Sequence, residues 1–95
     1  MLTAGTRTDF HRLICDKVTN YQRLVHGEDD LTIWRYAFHM ERDPSHRLVY
    51  SGKYLGVKPN DLVSLRATIK HMRDDYGFMR LSRVVIIPVN ERGML

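Results

Sequence analysis

Ninety-five residues, 43% of them hydrophobic and 27% charged, suit one globular domain and leave no room for two separate cores. No apolar run reaches the roughly 18–20 residues of a membrane-spanning helix, and a single cysteine, Cys15, excludes an internal disulfide. A net charge of +4 permits an anionic partner without requiring one, so the distribution of that charge has to decide.

The stretch from Met1 to Asp9 is polar and has no apolar segment of the secretory kind, and residues 1–7 are expected to be loose. With the lone thiol, this gives the expectation of a cytoplasmic protein. Residues 9–25 predict a helix. Phe10, Leu13, Ile14, Val18, Tyr21, Leu24 and Val25 recur at spacings of three and four, with Thr8 as N-cap and Gly27 as the stop. The acidic run Glu28-Asp29-Asp30 follows as a turn.

Leu31–Met40 is rich in β-branched and aromatic residues and predicts a strand. Residues 41–45 predict a turn by their Asp-Pro-Ser chemistry, and 46–55 the return strand, weakened by Gly52. That loop length pairs Phe38 with Leu48, Tyr36 with Tyr50, Trp34 with Gly52 and Thr32 with Tyr54, gathering the large apolar groups on one face. Asn60 to Tyr76 predicts a second helix with the stripe Leu62, Leu65, Ile69, Met72 and Tyr76, ended by Gly77. Met79–Val89 predicts a third strand with Leu81, Val85 and Ile87 inward, and 90–95 a loose tail. The expected fold is therefore α+β, a single small domain in α-β-β-α-β order. Its three-stranded antiparallel sheet has strand order 2-1-3, with two helices on one face.

In that frame the segments expected as strands carry bases and no acids. The row Thr32, Trp34, Tyr36, Phe38 and Met40 has the look of a base-stacking platform, but two amphipathic helices need an apolar face, so it is assigned to the core. The opposite face then presents Arg35, Arg47, Lys53 and Arg80 outward, among Leu31, Ile33, Val49, Leu55 and Ile86. Arg83 points toward the helices. Arg66, Lys70 and Arg73, spaced by four and three, form a helical flank able to track phosphates.

Signals of catalysis are thin. His11 and Cys15, four apart on the first helix, are the minimum for an activated thiolate, with no third residue to orient them. His39 and His46 flank the hairpin turn, but the five histidines show no metal-binding spacing. There is no phosphate-binding glycine loop and no nucleophile elbow. The expectation is a non-enzymatic protein without cofactor, metal or membrane partner. It would bind nucleic acid, or serve a nucleoprotein, through Arg35, Arg47, Lys53 and Arg80, supported by Arg66, Lys70 and Arg73. The alternative is a protein-interaction module, acting on an acidic protein surface or as a homodimer, with Leu31, Ile33, Val49, Leu55 and Ile86 as anchors or through an exposed strand edge.

Overall fold

A computed structural model describes residues 2–23 and 31–88. Five strands make up its regular structure: β1 (Arg7–Arg23), β2 (Leu31–Met40), β3 (Asp43–Gly52), β4 (Leu62–His71) and β5 (Met79–Ile87). They close into a barrel in the order β1-β2-β3-β5-β4, with β4 returning to β1. All neighbours are antiparallel except β3 and β5, which run parallel through Leu48–Tyr50 and Met79–Leu81. The fold is thus all-β, and the expected α+β class, two helices and three-stranded 2-1-3 sheet are overturned. The expected stop at Gly27, the Glu28-Asp29-Asp30 turn and the tail from 90 onward lie outside the described residues.

The first apparent helix fails for a specific reason. In β1 the buried positions are Phe10, Leu13 and Cys15, with Val18 packed behind them. Between Phe10 and Leu13, β1 advances three residues while β4 advances two; between Cys15 and Lys17 it advances two while β2 advances one. Each β-bulge inserts one residue into a period of two and turns a spacing of two into three. Two bulges in one strand therefore mimic a helical stripe. Arg12, in the first bulge, has φ 59°, and Glu41 N–H donates to its carbonyl at 3.0 Å.

The second apparent helix is strand β4, whose buried side chains alternate as Leu65, Ala67 and Ile69. Ala67 is too small to stand out in a hydrophobic pattern, so the stripe was completed by Leu62 and Met72, both exposed. Asn60, expected at the start of that helix, instead has φ 77° in a turn closed by Asp61 N–H to the Lys58 carbonyl at 3.0 Å. Pro59 followed by a left-handed Asn60 is type II turn chemistry.

The β2–β3 hairpin carries the expected register: Phe38 opposite Leu48, Tyr36 opposite Tyr50 and Trp34 opposite Gly52. β3 ends at Gly52, and the Trp34 ring instead meets Tyr54 at 4.6 Å between centroids. Tyr36, Phe38, Leu48 and Tyr50 fill the barrel with Leu13, Leu65, Ile69 and Leu81. Tyr36 is buried yet satisfied, since its hydroxyl accepts the Leu55 N–H at 2.8 Å. In β5 another bulge leaves Leu81 inward as expected but reverses the facing expected of Arg83 and Val85. Between Arg66↔Val85 and Thr68↔Ser82, β5 spends one extra residue at Arg83, which has φ 54°. Val84 therefore points into the core, while Arg83 and Val85 face out.

No helix of the described residues is long and apolar enough to cross a membrane.

Candidate functional site

The outer side of the β2–β3 hairpin forms the floor of a groove. Its walls come from β1 on one side and from β5 with the β4–β5 loop on the other. One section, of about 310 Å³, is lined by Lys17 and Thr19 of β1, Arg35 and Ala37 of β2, Val49 and Ser51 of β3, and Asp74, Tyr76, Phe78 and Arg80. A second section, of about 500 Å³, shares Lys17, Ala37, Val49 and Phe78, so the two adjoin. It adds Asp16, His39, Pro44 and Arg47. The alternation of β2 dictates this arrangement: with Tyr36 and Phe38 in the core, Arg35, Ala37 and His39 must face out.

Along its length the groove carries four cations, Lys17, Arg35, Arg47 and Arg80, against two carboxylates, Asp16 and Asp74. Both carboxylates are engaged. Asp16 Oδ1 lies 2.7 Å from His39 Nδ1. Asp74 Oδ1 accepts the N–H groups of Tyr76 and Phe78, each at 2.9 Å, and its Oδ2 accepts from Arg80 Nη1 at 3.2 Å. The Phe78 amide chiefly, with Tyr76 and Arg80, holds the Asp74 carboxyl below its ordinary range, against an opposing push from burial. The backbone closes the same loop: Asp74 N–H donates to the Phe78 carbonyl at 2.8 Å, and Gly77 N–H to the Asp74 carbonyl at 3.0 Å. Gly77, at φ 83°, supplies the left-handed residue that a three-residue hairpin loop requires. The loop is thereby fixed while Tyr76 stands 82% exposed at the groove's rim.

Of the residues expected to bind nucleic acid, Arg35, Arg47 and Arg80 come together in this groove. Arg73 lines a neighbouring cleft that also contains Arg47. Lys53 is exposed just past β3, its N–H donating to the Tyr50 hydroxyl. The helical flank of Arg66, Lys70 and Arg73 does not exist: Arg66 and Lys70 are exposed on strand β4, and Arg73 lies beyond its end. Arg66 is bound to Asp9 through Nε and Nη2 at 2.7 and 3.2 Å. Nor are the strands free of acids, since β1 contains Asp9 and Asp16 and β3 begins at Asp43. Among the expected interface anchors, Val49 lies in the groove floor, and Leu31 and Ile33 lie toward the open end of the β1–β2 pair. Leu55 and Ile86 pack against the core. The five do not form one patch.

Lys17, Thr19 and Tyr76 were hidden from the sequence because both parent segments looked helical. The Asp-Asp-Tyr-Gly run at 74–77 carried the missed signal, an aspartate opening a turn and a glycine closing it. Cys15 is fully buried, and burial pushes its thiol pKa up, the opposite of activation. His11 is exposed, with Nδ1 3.2 Å from Ser64 Oγ. Among the described residues, no three His, Cys, Asp or Glu side chains converge as a metal site would require.

Comparison with known proteins finds no matching family model, no matching curated protein and no matching solved structure.

Proposed function

We propose that the protein binds single-stranded nucleic acid along the β1–β2–β3–β5 groove and acts by binding alone. The observation that carries this reading is the meeting, in one groove, of four cations with small hydroxyl groups and two rim aromatics, Tyr76 and Phe78. Lysines and arginines neutralise phosphates, whereas flat aromatic faces accept unpaired bases of any sequence. Tyr76 and Phe78 sit on a loop that Asp74 holds in advance, so little ordering is left to the binding step.

Architecture supports the same surface. Five-stranded Greek-key barrels of the OB-fold type bind oligonucleotides and oligosaccharides on strands 2 and 3 and on the loops after strands 1 and 4. The likeness here is one of strand number and closure, which by itself carries no activity. The excess of cations favours a phosphate-bearing ligand over a neutral sugar. We place the protein in the cytoplasm, where a lone buried thiol such as Cys15 stays reduced.

Fluorescence anisotropy with labelled oligo-dT tests the proposal. Contacts from about four cations predict a slope of log affinity against log salt of roughly −3 for a single strand. Lys17→Ala and Arg47→Ala each weaken binding several-fold and flatten that slope, whereas Arg66→Ala, outside the groove, leaves both nearly unchanged. Absent or salt-insensitive binding contradicts the reading.

A further inference from the structure

Beyond the barrel, the β1–β2 pair continues as a two-stranded ribbon. β1 pairs with β4 only from Arg7 to Ile14, and β2 with β3 only from Trp34 to Met40. Tyr21, Gln22 and Arg23 pair with Ile33, Thr32 and Leu31 and with no other strand. One face of this ribbon prolongs the groove. Thr19 and Arg35, directly opposed, line the groove; the next same-face positions outward are Tyr21 and Ile33, then Arg23 and Leu31.

At that junction the Arg35 guanidinium lies over the Tyr21 ring, 5.8 Å from its centroid. The pair is diagonal across the ladder, close enough for long side chains to meet. A guanidinium laid on an aromatic ring makes a flat, cationic surface of the kind bases stack upon. Tyr21 remains 44% exposed and Leu31 49%.

Resting on the reading of the groove as a single-strand site, we infer that the ribbon holds a second subsite. There, a nucleobase stacks on the Tyr21–Arg35 platform, and a strand leaving the groove continues onto the ribbon. Arg35 is then more than a phosphate contact. It joins the two subsites, lining the groove while capping the ring beyond it. Arg23, opposite Leu31, is placed to meet the next phosphate.

The test is a length series of 5′-labelled oligo-dT at fixed low salt, comparing wild type with Tyr21→Leu and Arg35→Lys in the full chain. Oligomers confined to the groove bind wild type and Tyr21→Leu equally. Longer ones gain affinity with wild type, and Tyr21→Leu loses that gain by about 5- to 150-fold, the span of one base–aromatic stack. Arg35→Lys keeps the charge but not the plane and loses part of the same gain. Replacing the distal bases by abasic sites abolishes the difference between wild type and Tyr21→Leu. Length-dependent binding indifferent to Tyr21, or a Tyr21→Leu loss that persists on short or abasic oligomers, overturns the subsite while the groove reading stands. No wild-type binding at any length overturns the groove reading and the subsite together.

Discussion

Arg83 shows how one residue's backbone can redirect a whole strand. At φ 54° it lies in the left-handed region, which costs a non-glycine residue roughly 1–2 kcal/mol. The Arg7 guanidinium holds its carbonyl at 2.9 Å. Because Arg83 takes up the extra residue, Leu81 and Val84 can both enter the core although three positions separate them. Ordinary strand propensity ranks valine well above glycine. At this position the order inverts: Arg83→Gly is expected to be more stable than Arg83→Val by about 1–2 kcal/mol in urea unfolding. Valine matching or exceeding glycine would show that the left-handed backbone is not held there.

The same bulges decide how far each element could be read from the sequence. β2 and β3 were legible, since their alternation is unbroken through Tyr36, Phe38, Leu48 and Tyr50, and only one register gathers those groups on one face. β1 was not, because its bulges set Phe10 and Leu13, and Cys15 and Val18, three residues apart instead of two, a spacing that a helix also gives. β4 was lost through the small side chain of Ala67. The β4–β5 loop shows the consequence for function. Tyr76, expected as the last residue of a helix, is instead presented by a hairpin turn that Asp74 shapes as the acceptor. Asp74 also makes this loop pH-sensitive. Its folded pKa is lowered, so its contribution to order is complete above the unfolded value of about 3.9. It is lost as pH falls through the lower folded value. Protection of the Tyr76 and Phe78 amides, relative to their intrinsic exchange at each pH, should therefore hold from neutrality to about pH 4 and fall below it. In Asp74→Ala that protection should already be lost at neutral pH. Equal protection in both proteins would remove Asp74 from its shaping role.

At the scale of the molecule, closure of the barrel sets where a ligand can go. In the body of the barrel, antiparallel ladders and the short parallel joint between β3 and β5 occupy the strand edges and leave its faces for recognition, while the β1–β2 ribbon beyond it pairs with no other described strand. The cations divide unevenly among those faces. Arg66 is committed to Asp9 and Arg12 to Glu41, whereas Lys17, Arg35 and Arg47 converge on one groove with Arg80, which is itself held by Asp74. The outward placement of Arg35 and Arg47 was legible because the hairpin fixes which way β2 and β3 face, and that of Arg80 because its neighbour Leu81 was expected inward on the third strand. It missed Lys17 because the strand that supplies it looked helical. The central claim is that a single strand lies in this groove, and amide chemical-shift mapping during titration with unlabelled oligo-dT tests it most directly. The expected shifts cluster at Lys17, Thr19, Arg35, Ser51, Phe78 and Arg80, with little change at Asp9 and Arg66. Shifts centred on Asp9 and Arg66, or none at saturating oligonucleotide, would contradict it.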